Sequence, residues 1–438
     1  MKCPLWMLLF GAARLALAQY AGPALLTRGE APASAAQPTI EFRPFVEVTG
    51  IYDTGLAAFT VTDTGALANT SSAGERVAFG ISGTHRWAHT NFGATYRGSI
   101  SHFAKQTYYD GMSQSLLLGL KHEFTRHISL DLSENAGTFS RDFGLLGVPQ
   151  TSLFDPSTTY TPTTDYFDNR TYYFSSTADL IIKRSNRLSF ALGGTAIANR
   201  RRSKALHGDT GINAGGDVQY RVSKRSTVGA NYTYSHFVFT DTIGATDVHT
   251  VAGTYAIALA RNVEFSGYAG LSRIENKNIS TTTLDPVIAA LLGITQSTQI
   301  LHSIERTPAF GGRVAWRVPR AVVHASVRRG FSPGNGLFAA STSLAISGGY
   351  SYTGLRRWSA SVQGSFDDNR ALVGITGRYR SSSSGISLSR KLLGSTHFVA
   401  SYSIRVYDSS DFSNYHRIVN EASIGFGFTP GEIPLRVW

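Results

Sequence analysis

The sequence predicts an all-β fold, namely a transmembrane antiparallel up-and-down β-barrel of about eighteen strands, with short periplasmic turns and long extracellular loops. Three observations lead to this prediction. Runs of about ten to fourteen residues alternate between apolar and small polar side chains, and a period of two is typical of a strand with one apolar and one hydrated face. The links between these runs are alternately short and long. After the N-terminal segment no stretch of about eighteen apolar residues occurs, so helical membrane spans are not expected.

The alternation is plain in the segment 226–239. Val228, Tyr232 and Val238 share one parity, whereas Ser235 belongs to the other. Each run is about long enough to cross a bilayer as a tilted strand. Sixteen strands can also be drawn, because the first strand and the region 367–390 are ambiguous. In chain order, the predicted strands lie near 42–52, 74–85, 90–103, 112–123, 127–138, 170–183, 187–198, 211–222, 226–239, 247–259, 263–275, 303–317, 321–329, 339–352, 356–366, 378–390, 396–406 and 416–428.

The lengths of the links indicate which ends of the strands face the periplasm. Links such as 86–89 and 223–225 are tight, whereas 53–73, 139–169 and 276–302 are long. Short periplasmic turns and long external loops are typical of outer-membrane barrels, and an even strand number leaves both chain ends in the periplasm. A soluble sandwich or propeller is the alternative, but its strands are usually only about five or six residues long.

The N-terminus predicts export to the bacterial outer membrane. Lys2 precedes an apolar stretch at 5–17, and small residues up to Ala18 fit a cleavage site. Arg14 interrupts this stretch, so a buried N-terminal helix is the alternative. The expected organisation is a cleaved signal peptide at 1–18, a periplasmic leader at 19–41 and an outer-membrane barrel at 42–438.

Several classes of function are not expected. The single cysteine, Cys3, lies inside the predicted signal, so no disulfide or thiolate metal site is expected in the exported chain. His122 and His127 are five residues apart across a predicted turn, whereas a zinc-protease helix needs histidines four residues apart. No phosphate-binding loop or nucleophile elbow occurs. The net charge of +12 comes from singly dispersed arginines, so nucleic acid is not an expected partner. We expect no enzyme activity, no cofactor and no bound metal.

Charged side chains within the strands are expected to face the interior. A basic side chain facing lipid at mid-depth costs roughly 2–4 kcal/mol, so the inward position is favoured by energy alone. The set is mixed with a basic excess, and opposite charges on neighbouring strands can pair. The predicted lumen-lining residues are Arg97, Lys121, Asp131, Asp179, Asp217, Arg221, Glu264, Arg313, Arg357, Arg405, Arg417 and Glu421.

One long loop contains a segment that predicts a short helix at 285–293. Asp285 suits the N-cap, Pro286 the first turn and Gly293 the end. A helix of about two turns is not stable alone in water, so it must pack on another part of the protein. It could fold into the barrel mouth and constrict the pore, or cap a neighbouring loop. The residues of this candidate constriction are Asp285, Pro286, Ile288, Leu291 and Leu292.

The C-terminal region resembles known outer-membrane barrels, which end in an alternating strand that closes on an aromatic residue. The run 422–428 alternates and ends at Phe428, and Trp438 is the last residue. Either aromatic could be the signal for the barrel-assembly machinery. On its architecture, residues 42–438 resemble the porin-like outer-membrane β-barrel families of Gram-negative bacteria, including barrels associated with polysaccharide export.

The expected function is an outer-membrane channel for passive diffusion of small hydrophilic solutes, with a preference for anions. The alternatives are a barrel that serves exopolysaccharide export, a structural or adhesive barrel, and a lipid-acting enzyme at the outer rim. The expected partners are outer-membrane lipid, lipopolysaccharide, the assembly machinery and the transported solutes or polysaccharide. A homo-oligomer is also compatible with this class.

Overall fold

The computed structural model describes residues 41–55, 71–105, 110–139, 171–202, 208–239, 244–283, 296–318, 320–333, 340–352, 358–372, 377–409, 416–428 and 433–434. Eighteen strands of twelve or more residues account for most of them. They are β1 (Glu41–Asp53), β2 (Ser72–Arg86), β3 (Thr90–Phe103), β4 (Gly111–Glu123), β5 (Ile128–Phe139), β6 (Thr171–Lys183), β7 (Leu188–Arg201), β8 (Asp209–Arg221), β9 (Ser226–Phe239), β10 (Gly244–Ala260), β11 (Val263–Thr283), β12 (Gln296–Val318), β13 (Ala321–Ser332), β14 (Ser341–Tyr352), β15 (Trp358–Ala371), β16 (Arg378–Lys391), β17 (Thr396–Ser409) and β18 (His416–Phe428).

The strands form one closed antiparallel barrel. Each strand pairs with its neighbours in the sequence, and β1 pairs with both β2 and β18, which closes the wall. A two-residue segment, Ile433–Pro434, extends the pairing beside the start of β1. Within the described part of the chain, no helix is long and apolar enough to span a membrane. The predicted fold class and the strand count of eighteen are confirmed.

Tight turns join the strands at one end of the barrel. In the turn between β8 and β9, Val222 N–H donates to the Ser226 carbonyl at 3.0 Å. In the turn between β16 and β17, Gly394 has a φ of 52°, which glycine adopts without the steric cost that a side chain would bring. These turns lie at the predicted short links. This end is therefore the one predicted to be periplasmic, and we call the opposite end extracellular in accordance with that prediction.

The prediction that residues 276–302 form a loop is wrong over much of this range. Strands β11 and β12 remain paired as far as Thr283 and Gln296, and only 284–295 lie outside the described residues. The residues that extend these strands are largely Thr, Ser, Asn and Gln. Beyond the bilayer neither face of a strand contacts lipid, so apolar and polar residues need not alternate there. The strands therefore continue into segments that lack the pattern used to predict them.

Apolar side chains lie on the outer surface of the wall. Along β18, Ile424, Phe426 and Phe428 are exposed and share one parity, whereas Arg417 and Val419, of the other parity, are buried. The same arrangement holds around the barrel, where many outward Val, Ile, Leu, Phe and Tyr side chains are exposed and inward Ser, Thr, Asn and Asp are buried. In a soluble protein the distribution is the reverse, so the outer surface is suited to hydrocarbon.

Candidate functional site

The inner face of the barrel is the candidate functional site. The strand register places the predicted lining residues on the parity opposite to the exposed apolar side chains, except Arg357, which lies outside the described residues. Asp179, Asp217, Arg405 and Arg417 are buried within the barrel. That they line a water-filled path stays a prediction.

Part of the inner face is open to solvent. Gln363, Ser387 and Ser401 belong to the inward parity of β15, β16 and β17, and all three are exposed. The side chain of Lys121 on β4 is 45% exposed. These polar groups are therefore accessible to solvent on the inside of the closed wall.

Three arginines and two carboxylates meet where the barrel closes. Nη1 of Arg76 on β2 lies 3.1 Å from Oε1 of Glu421 on β18, and Nη2 of Arg405 on β17 lies 4.0 Å from the other oxygen of Glu421. Arg417 donates a hydrogen bond to the Gly55 carbonyl. Asp53 accepts the Gly55 N–H at 2.7 Å. We call Arg76, Arg405, Arg417, Asp53 and Glu421 the seam cluster.

Arg76 is not among the residues predicted from the sequence to line the lumen. Along β2, Arg76 is two residues before Ala78, which is buried, and next to Val77, which is exposed. Arg76 therefore lies on the inner face of the wall. That alternation is the signal by which Arg76 could have been found.

A group of carboxylates lies on another sector of the inner face. Asp131 on β5 is directly opposite Asp179 on β6, and Lys121 Nζ is 3.8 Å from the carboxylate of Asp131. On β8, Asp217 accepts a hydrogen bond from the Gln219 amide at 2.9 Å. Since β8 and β17 are nine places apart in the strand order, Asp217 and Arg405 lie on opposite sides of the barrel.

An apolar cluster lies inside the extracellular end of the barrel. Phe237 and Phe331 have ring centroids 5.3 Å apart, although their strands β9 and β13 are not neighbours. Gly330 and Phe331 are both buried, so the alternation of β13 stops there and Phe331 turns inward. Across from it, the wall contributes inward residues of β7, β9, β10 and β11. The members of this mouth cluster are Ile197, Phe237, Phe239, Val248, Ile274, Phe331 and Ala340, with Leu372 packed against them.

The mouth cluster places apolar side chains inside the extracellular end of the barrel, at a position for which the sequence predicts no constriction. The residues of the predicted constriction, Asp285, Pro286, Ile288, Leu291 and Leu292, lie outside the described residues. The predicted signal peptide, most of the leader and Trp438 lie outside them as well.

The histidines of the motif at 122–127 bind different partners. His122 Nδ1 lies 2.8 Å from the Thr90 hydroxyl, and His127 Nδ1 lies 2.9 Å from the Lys183 carbonyl. Among the residues that the structure describes, no group of three or more His, Cys, Asp or Glu is placed to hold a metal ion.

Comparisons with known proteins give similarity at the level of architecture. No protein-family model matches the chain, and no curated protein matches it. Among solved structures, it is similar to OccK2 (OpdF) of Pseudomonas aeruginosa, with 10% identity, a TM-score of 0.44, and coverage of 90% of this chain and 99% of that chain. It is similar to OccK5 (OpdH) of the same organism, with 12% identity, a TM-score of 0.42, and coverage of 90% and 98%. It is also similar to the unliganded ferric citrate transporter FecA, with 12% identity, a TM-score of 0.42, and coverage of 86% and 61%.

These similarities are too distant to carry function. The barrel assignment therefore rests on the strand pairing of this chain itself. The comparisons give no support to the suggestion of polysaccharide export.

Proposed function

We propose that this chain is an outer-membrane channel for the passive diffusion of small hydrophilic solutes. The observation that carries the proposal is the combination of an exposed apolar outer wall with an inner wall whose polar residues, such as Lys121, Gln363 and Ser401, remain open to solvent. A closed wall with hydrated groups inside gives polar solutes a route through hydrocarbon that they could not cross otherwise. Such transport needs size exclusion and an electrostatic field, and it requires no catalytic residue.

The seam cluster supports a preference for anions. Arg417 is the second residue of β18, so it lies near the extracellular end, where a solute enters. The cluster holds three guanidinium groups and two carboxylates, so its net charge is positive. The acidic group of Asp131 and Asp179 lies near the periplasmic ends of β5 and β6. An anion that arrives from outside therefore meets the positive cluster first.

Single-channel recording in planar bilayers tests this function. We expect the folded barrel to give steady ohmic currents, and a salt gradient to give a reversal potential that indicates anion preference. Charge reversal by Arg405→Glu, Arg417→Glu or Arg357→Glu should shift that potential toward cation preference. Arg225→Glu, in an exposed periplasmic turn, is the matched control and should shift it less.

Two results would overturn these proposals separately. A folded barrel that conducts no ions would refute the channel. A conducting barrel whose reversal potential is unchanged in all three lumen variants would leave the channel intact and refute the lining role of these arginines. Heat-modifiable electrophoretic migration verifies that each variant is folded.

A further inference from the structure

A cluster of arginines lies on the outer wall of the barrel, at the extracellular end of β13 to β16. Val362 and Ile386 are exposed outward residues of β15 and β16, and Arg370, Arg378 and Arg380 share their parity. Arg329 on β13 is outward as well, because it pairs with Phe310, an exposed outer residue of β12. We call Arg329, Arg370, Arg378 and Arg380 the outer arginine cluster.

One carboxylate, that of Asp368, lies close to two of these arginines. Arg378 donates from Nε and Nη2 to the two oxygens of Asp368, at 2.7 and 2.5 Å. Arg380 Nε lies 3.9 Å from the same carboxylate. The bidentate pair fixes the plane of the Arg378 guanidinium before any ligand binds, and Arg380 lies beside the same carboxylate.

The cluster has more positive than negative charge. Among the residues that the structure describes here, the acidic ones on the outer wall are Asp368 and Asp408, which lies opposite Arg380 on β17, against four arginines. Arg370 and Arg378 are directly opposite each other on neighbouring strands. Like charges in that position are destabilising, and an anion bound between them would remove the repulsion.

The height of the cluster matches the headgroups of the outer leaflet. Strand β16 runs for 14 residues from Arg378 to Lys391 at the periplasmic turn. With a rise of about 3.3 Å per residue and a tilt near 40°, it spans about 33 Å along the membrane normal, against about 25 Å for the apolar band. Arg378 and Arg380 therefore lie just above the hydrocarbon, whereas Ile386 and Leu388 lie within it.

We propose that the outer arginine cluster binds the phosphate groups of the phosphorylated glycolipid of the outer leaflet. Guanidinium groups bind phosphate in bidentate geometry, and basic clusters at the bilayer surface recognise anionic headgroups. The site faces the lipid and not the lumen, so it would anchor the barrel independently of transport.

Native mass spectrometry of the full folded barrel in detergent tests the proposal, with bisphosphorylated lipid A as the probe. The test variant is Arg370→Gln/Arg378→Gln/Arg380→Gln. The control is Arg187→Gln/Arg225→Gln/Arg261→Gln, which removes three arginines from the periplasmic turns. We expect the test variant to bind lipid A at least ten-fold more weakly, the control to bind like wild type, and dephosphorylated lipid A to bind poorly to all three.

The triple variant also removes the Arg378–Asp368 ion pair, and loss of that pair alone can disturb folding. A second variant that keeps the pair is therefore needed. Arg370→Gln alone leaves that pair in place and should still weaken binding severalfold.

Equal lipid A binding by wild type and the folded triple variant would refute the site, as would equal binding of lipid A with and without its phosphates. Displacement of lipid A by an equal concentration of inorganic phosphate would identify a free-anion site and also refute the proposal. Ion conductance should be unchanged in the Arg370→Gln variant, which separates this test from that of the channel.

Discussion

Ser176 on β6 donates a hydrogen bond of 2.6 Å to Oε1 of Glu134 on β5, and both residues are on the outward face of the wall. Glu134 shares its parity with Leu130 and Leu132 and lies directly opposite Leu118. It is near the middle of its strand, so it is at mid-depth in the bilayer. The rule that strand charges turn inward therefore has an exception, which Ser176 stabilises.

Replacement of Glu134 by leucine should make the barrel more stable in lipid. A charged group that faces hydrocarbon at mid-depth costs up to about 2–4 kcal/mol, less for a carboxylate than for a base, so Glu134→Leu should raise the free energy of unfolding by about 1–2 kcal/mol. Guanidinium unfolding in lipid vesicles measures it. Glu75→Leu, an exposed outer carboxylate near the extracellular end of β2, should have little effect. A destabilised Glu134→Leu barrel would contradict the prediction and indicate that a partner covers this surface.

Loss of the Arg76–Glu421 pair should loosen the closure of the barrel. The side chains are 10% and 17% exposed, and the pair connects β2 to β18 across β1. Glu421→Gln should lower the free energy of unfolding by about 2 kcal/mol, because it leaves largely buried guanidinium groups with one anionic partner fewer. Glu305→Gln, on the same inner face but away from the closure, is the control. Equal unfolding midpoints for the two variants would show that the pair contributes nothing to closure.

The sequence is sufficient to predict the barrel and the order of its strands, because lipid on one side and water on the other impose an alternation on every strand. Strand β9 coincides with its predicted range, 226–239. The same constraint assigns Arg405 and Arg417 to the inner parity. It is absent beyond the bilayer, which is why the extension of β11 to Thr283 could not be predicted.

Contacts between distant strands could not be predicted either. Parity places Phe331 on the outer face, yet it turns inward to meet Phe237, and no periodic signal marks the change. Likewise, the distance between Arg76 and Glu421 depends on closure between the first hairpin and the last strand, which are 345 residues apart. Such contacts follow from the three-dimensional arrangement and leave no local pattern.

Truncation of Phe331 should widen the extracellular entrance. Its ring packs on Phe237 inside the mouth cluster, where apolar side chains exclude water and so obstruct ion flow. Phe331→Ala should raise the single-channel conductance severalfold, as measured in planar bilayers. Phe426→Ala removes an aromatic ring from the lipid-facing surface and should leave the conductance unchanged. If Phe331→Ala conducts like wild type, the mouth cluster does not limit the current.

The outer half of the β11–β12 hairpin should lose order in acid. A bilayer crossing takes about 9–11 residues, and β11 has 21, so Glu275 lies beyond the membrane. There it contacts His302 Nε2 at 2.9 Å and Arg273 Nη2 at 3.3 Å. The hydrogen bond from His302, with the nearby positive charges, lowers the pKa of Glu275.

Because the pKa of Glu275 is lower in the folded state than in the unfolded state, its stabilising effect is complete above the unfolded value of about 4.3 and disappears as the pH falls through the folded value. Hydrogen-exchange protection of the hairpin amides, corrected for intrinsic rates, should therefore decrease between about pH 5 and pH 3. Glu275→Gln should show lower protection at pH 5 and little change over the same interval. A loss of protection that is the same in wild type and Glu275→Gln would assign the acid sensitivity to another group.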